Sequence, residues 1–152
     1  NMVLWNGACM VHEIFSLSKI TKLKERNPEA KLVAHPECEE AVLNLADFIG
    51  STTQLLKFIE QDDCQVFIVA TEAGILHKMQ QNAPSKTLIA APPDNSCACN
   101  DCPHMKLNTL EKLYLCMKYE LPEITMSEEL RIAAKKPIDR MLSMSRDLNI
   151  GG

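Results

Sequence analysis

Residues 65–70 constrain the fold more than any other stretch, because Val66-Phe67-Ile68-Val69 is an unbroken apolar run, mostly β-branched, between polar flanks. A strand with apolar side chains on both faces needs a covering layer on each side, so it reads as a parallel strand inside an α/β sheet. Short apolar runs at residues 2–5, 32–34 and 87–90 read as further strands. Helical patterns lie between them. One is expected over residues 10–26, with Val11, Ile14, Leu17, Ile20 and Leu23 at three-residue steps, until Asn27-Pro28 stops it. Another spans residues 39–47 and is followed by a brief apolar step at Phe48-Ile49. A third is opened by Gly50-Ser51-Thr52-Thr53 and carries Leu55, Leu56 and Ile59 on one face; a fourth runs from Thr71-Glu72-Ala73-Gly74 through Met79. This βαβ alternation predicts a three-layer αβα domain with a short parallel sheet.

After residue 106 the pattern turns wholly helical. Asn108 is placed to cap a helix with Glu111 three residues on, and Leu110, Leu113, Met117 and Leu121 form its expected buried face before Pro122. A further helix from about Ser127 should be kinked or restarted at Pro137, with Ile138, Met141, Leu142 and Leu148 turned inward. The expected division is an αβα domain over residues 1–106 and a C-terminal helical segment over residues 107–152, a tail suited to docking on another domain.

At 152 residues with 46% apolar content, the chain is long enough for one domain with a real core. A net charge of -4 argues against nucleic acid or an acidic membrane surface as partner. No apolar run approaches the roughly 18 residues of a membrane span. No leader pattern is seen, and seven cysteines, an odd number, do not suit a secreted disulfide framework, so a cytoplasmic location is expected.

Cysteine is the most informative residue type. Cys97, Cys99 and Cys102 place three thiols in six residues ahead of Pro103, a density that suits zinc or an iron–sulfur cluster. The alternatives are a structural or regulatory zinc-binding module built on that loop, with or without His104, or ordinary reduced thiols at the surface. Cys38, Cys64 and Cys116 fall in apolar or helical settings and read as core thiols; His77 and His104 read as surface or loop histidines.

Ligands of open parallel sheets bind beyond the carboxyl ends of the strands. Those ends collect Cys9 and His12, then His35 and Glu37, then Ser51 and Thr52, then Thr71 and Glu72, and finally the cysteine loop. His35-Pro36-Glu37 sets an imidazole beside a carboxylate, a pairing suited to proton transfer near neutral pH, and also an ordinary polar turn. Ser51 and Thr52 lead a helix, so their hydroxyls and the free N–H groups suit a phosphate or carboxylate; capping the helix is the simpler role. Thr71 and Glu72 read as supporting residues.

Four motifs stand in the order expected of quinolinate synthase: Trp5-Asn6-Gly7-Ala8-Cys9-Met10-Val11-His12, His35-Pro36-Glu37, Gly50-Ser51-Thr52, and Cys102-Pro103-His104-Met105-Lys106-Leu107-Asn108. The chain resembles the C-terminal portion of that family over essentially its whole length. The resemblance implies similar αβα units around a pseudo-threefold axis, each giving one cysteine to a 4Fe–4S cluster. Cys9 would be the second ligand and Cys102 the third; the first would lie upstream of Asn1, so the isolated piece is expected to be inactive. The implied reaction condenses iminoaspartate (iminosuccinate) with dihydroxyacetone phosphate, losing phosphate and water to give quinolinate for de novo NAD biosynthesis. L-aspartate oxidase would act just upstream. The cluster's open iron would serve as a Lewis acid. By the same resemblance, Glu37, His35 and His12 are catalytic, and His35, Pro36, Glu37, Ser51 and Thr52 bind substrate. Some members carry a Cys-x-x-Cys-x-x-Cys array here; this chain has Ser96, Cys99 and Cys102 at those positions, with Cys97 displaced by one.

Overall fold

The computed structural model describes residues 7–94 and 100–148. The strand expected at residues 2–5, and Cys97 and Cys99, lie outside the described residues. The chain divides into two compact units, residues 1–107 and 108–152.

The first unit is built on four parallel strands: β1 (Lys31–Ala34), β2 (Phe48–Ile49), β3 (Val66–Ala70) and β4 (Thr87–Ala90), in spatial order β2-β1-β3-β4. β1 and β3 form its centre, with Leu32 opposite Ile68 and Ala34 opposite Ala70. Alternation along these two strands gives the sheet two apolar faces, which makes the unit an αβα sandwich. Leu32, Ala34, Ile68 and Ala70 pack with Phe15, Ile20, Cys38, Val42 and Ala91 on one side. Val33, Phe67 and Val69 pack with Leu55, Ile59, Met79 and Ala83 on the other. Helices α2 (Leu17–Arg26) and α3 (Glu40–Leu43) supply Ile20 and Val42 to the first face. Helices α4 (Thr52–Gln61) and α5 (Ile75–Asn82) supply Leu55, Ile59 and Met79 to the second. Each such side chain contributes about 1.5–3 kcal/mol by leaving water.

Two helices differ from expectation. The stretch over residues 10–26 is interrupted: α1 is only Met10–Glu13, and α2 begins at Leu17. Phe15 is buried and bridges Pro93, Ser16 N–H donates to Pro92 O at 3.0 Å, and Asp94 N–H donates to Ile14 O at 2.8 Å. These bonds to the segment after β4 replace helical ones. The helix expected over residues 39–47 shortens to Glu40–Leu43 because Asp47 is needed elsewhere. Its Oδ2 accepts from the Leu32 backbone and from Lys24 Nζ, both at 2.7 Å. Partial burial pushes this carboxyl up, but the two hydrogen bonds outweigh it and hold the group below its ordinary value. Phe48-Ile49 then forms the edge strand.

In the second unit, α6 (Leu110–Tyr119) is capped one residue later than expected: Thr109 Oγ1, not Asn108, accepts from Lys112 N–H. α7 (Glu128–Asp147) continues through Pro137 as one helix. The side chains expected to turn inward are exposed: Leu110, Leu113, Met117 and Leu121, and Ile138, Met141, Leu142 and Leu148. An apolar helical stripe is buried only by a second layer, and these two helices do not supply one for each other. Cys116, on α6, is likewise exposed and not a core thiol. Cys64 is half-buried, with its thiol near Glu29 O and Val66 O, whereas Cys38 is buried as expected. Among the described residues, no helix is long and apolar enough to cross a membrane.

Candidate active site at the sheet's switch point

From β1 the chain steps outward to β2, then crosses back over β1 to β3 and continues to β4. The direction of winding therefore reverses between β1 and β3, and the crevice beyond their carboxyl ends is where such sheets take ligands. His35 N–H donates to Ala70 O at 3.1 Å, so the β1–β3 ladder runs one residue past the strands before the two loops part.

His12 fills the crevice. The one-turn helix α1 carries it: Cys9 stands at the N-cap, and its carbonyl accepts from His12 N–H at 2.9 Å. The imidazole is 7% exposed and satisfied on both nitrogens. Nδ1 lies 2.9 Å from Glu37 Oε2, and Nε2 lies 3.2 Å from Thr71 Oγ1. An ionised carboxylate only accepts, so Glu37 fixes a proton on Nδ1, and in the neutral ring Nε2 accepts from the Thr71 hydroxyl. His35 stacks on His12 with centroids 4.3 Å apart and an 8° interplanar angle. Its Nδ1 accepts from Glu37 N–H at 3.3 Å, which places the His35 proton on Nε2. Burial, with the neighbouring His12, holds the His35 imidazole below its ordinary value of 6.5; Glu37 opposes this only in part.

His35 is thus kept neutral, with a consequence for stability. Its contribution is fully present above the unfolded pKa and is lost as pH falls from about 6.5 through the lower folded value. The His35 ring resonances should titrate with a midpoint below 6.5 by NMR. A midpoint at or above that value would show that burial does not govern the ring.

The ligand atoms of Cys9, His12 and Glu37 all lie within 4.8 Å of one another. Sequence reading placed Cys9, His12, His35 and Glu37 at strand ends, and the structure brings these four together. Pro36 is the exposed residue between His35 and Glu37. Ser51 and Thr52 sit at the start of α4, beyond β2, where Gly50 N–H still pairs with Ala34 O. Ser51 acts as the helix cap in a reciprocal box with Gln54. Cys102 is half-buried between β4 and residue 105, outside the Cys9–His12–Glu37 group, and its N–H points to Glu72 Oε1 at 3.4 Å. His77 and His104 are exposed. Thr71, read from the sequence as a supporting residue, meets His12 Nε2 through its hydroxyl. Asn100 is 1% exposed, a burial that no pattern in the sequence signals.

The switch point of this α/β sheet thus gathers a thiol, two imidazoles and a carboxylate, groups of the types that bind ligands and transfer protons. The chain belongs to the quinolinate synthase family: the family described as "NadA: Quinolinate synthetase A protein" matches residues 1–143. It is 60% identical over 144 residues to a quinolinate synthase of Rippkaea orientalis, covering 95% of this chain and 44% of that protein. A quinolinate synthase of Thermosynechococcus vestitus is 61% identical over 145 residues, covering 95% of this chain and 46% of that protein. One of Microcystis aeruginosa is 60% identical over 145 residues, with the same two coverages. The chain thus spans a little under half the length of these relatives.

Proposed function

We propose that this chain supplies two cluster ligands and the proton-handling group of a quinolinate synthase. The whole enzyme would condense iminoaspartate with dihydroxyacetone phosphate to quinolinate in de novo NAD biosynthesis, in the cytoplasm, with L-aspartate oxidase supplying the imine. The observation that carries this reading is the packing of Cys9, His12, His35 and Glu37 around one crevice at the β1–β3 switch point.

The donor set fits the implied cofactor: Cys9 and Cys102 are free, half-buried thiols on rim loops, and thiolates favour iron–sulfur clusters over hard cations. They would be the second and third ligands of a 4Fe–4S cluster, with the first coming from the family's N-terminal part. When bound, the cluster supplies a Lewis-acidic iron that polarises a substrate oxygen. The chain's own residues do the rest. Glu37, more than half exposed, faces the crevice and takes and returns protons at its carboxylate. Buried His12 orients that carboxylate through Nδ1–H and is itself oriented by Thr71. Neutral His35 offers Nε2–H as a donor to substrate. The Thr52 hydroxyl and the first N–H groups of α4 hold a substrate carboxylate or phosphate, and Ser51 and Pro36 contribute to binding the substrate. The helical segment over residues 107–152 packs its exposed apolar side chains on the family's N-terminal part.

Anaerobic reconstitution with iron and sulfide tests this. Alone, the chain should form no stable 4Fe–4S spectrum and no quinolinate. Together with the N-terminal part of the Thermosynechococcus vestitus relative it should form both, and Cys9→Ala or Cys102→Ala should abolish both. Turnover by the chain alone, or a full cluster in the Cys102→Ala pairing, overturns the proposal.

A further inference from the structure

We infer that Glu72 is a positioning residue that sets the place of Cys102 through the Cys102 backbone. Thr71 and Glu72 are neighbours at the end of β3 and reach different parts of the rim. Thr71 bonds His12 at 3.2 Å, while Glu72 Oε1 accepts from Cys102 N–H at 3.4 Å. The other oxygen, Oε2, accepts from Gly74 N–H at 2.8 Å, which anchors the carboxylate to its own turn. The cysteine loop has further ties nearby. Asn100 O accepts from Ala73 N–H at 3.1 Å, and the buried Asn100 amide donates to Ala91 O at 3.5 Å. Those ties fix the loop two residues before the thiol; the Glu72 bond is the one that reaches Cys102 from the β3 end. The carboxylate meets the backbone N–H of Cys102, so its role is one of placement.

Gly74 makes the arrangement testable without removing the carboxylate. A Cβ at this position would stand 2.8 Å from Glu72 Oε2, while the backbone, at φ -61° and ψ -28°, accepts alanine without strain. Gly74→Ala therefore displaces the carboxylate and leaves the start of α5 intact.

The meaning of this placement for the enzyme rests on Cys102 being a cluster ligand; the placement itself does not. In the metal-free 152-residue chain, iodoacetamide labelling is followed cysteine by cysteine by mass spectrometry, together with amide hydrogen exchange at Cys102. Glu72→Ala and Gly74→Ala should each raise Cys102 labelling about threefold or more and speed its amide exchange about tenfold. Glu72→Gln, which keeps acceptor oxygen, should stay within about twofold of wild type. Labelling of Cys9 and Cys38 should not change, and Gly74→Ala should melt no lower than wild type. Wild-type behaviour of Cys102 in Gly74→Ala overturns the inference, and so does a parallel rise at Cys38, which would mark general loosening. If Cys102→Ala leaves the reconstituted cluster intact while the labelling changes persist, the ligand reading fails and the positioning role stands.

Discussion

Glu37→Gln is expected to lower quinolinate formation by about 10²- to 10⁴-fold in the reconstituted enzyme, the range for loss of one positioned proton-transfer group. Glutamine matches glutamate in shape, and its amide oxygen can still accept from His12 Nδ1–H across the present 2.9 Å contact. The crevice should therefore keep its form, and the loss should fall on kcat with KM little changed. Iron content and the cluster spectrum should match wild type, since Glu37 lies beside Cys9 without replacing a thiol ligand in the reading proposed above. His12→Asn should cost less, because it removes the group that orients the carboxylate and leaves the carboxylate itself. Steady-state assays at equal cluster occupancy decide the matter. A Glu37→Gln variant within about threefold of wild type would remove Glu37 from the chemistry, since even a modest general acid–base contribution exceeds that.

The reason Glu37 can be singled out is also the reason much of the fold was readable in advance. Val66-Phe67-Ile68-Val69 carries apolar side chains on both faces, and only a covered parallel strand uses such a run, so β3 and its two layers followed directly. His35-Pro36-Glu37 sits immediately after a second apolar run, and the strand-end rule placed it on the rim beside the loop that follows β3. What stayed hidden depends on partners far along the chain. The break between α1 and α2 exists because Ile14, Phe15 and Ser16 exchange backbone bonds with Pro92, Pro93 and Asp94, and no local periodicity reports such a pairing. The short α3 reflects Asp47 serving Leu32 and Lys24 across the fold. At the site, Thr71 was legible as a strand-end residue, but its partner was not, because His12 arrives from a different element. The apolar stripes of α6 and α7 were visible, but a stripe states only that a side chain would gain by burial and not what covers it.

Phe67→Ala is expected to destabilise the sheet unit by about 3–5 kcal/mol, the range for emptying a large aromatic site in a packed core. Phe67 is 0% exposed and fills the second face of the sheet among Val33, Leu55, Ile59, Val69 and Met79. Its ring meets Phe58 edge-on at 6.3 Å and 84°, and Phe58 in turn stacks on Phe48 at 4.1 Å. Removing Phe67 therefore leaves a cavity and also withdraws the support of an aromatic row that runs out to edge strand β2. A loss of this size is a large share of the roughly 5–15 kcal/mol by which a domain is stable, so the denaturant midpoint should fall steeply. The side chains of Ile68 and Ala70 on β3 face the other layer, and the candidate crevice lies beyond the strand's end. In the fraction that remains folded, the His35 titration midpoint and Cys102 labelling should accordingly match wild type. Urea unfolding followed with both site readouts separates the two outcomes. An unchanged midpoint would mean that the second face is not the core described here, whereas a shifted His35 titration would mean that core and crevice are coupled through the sheet.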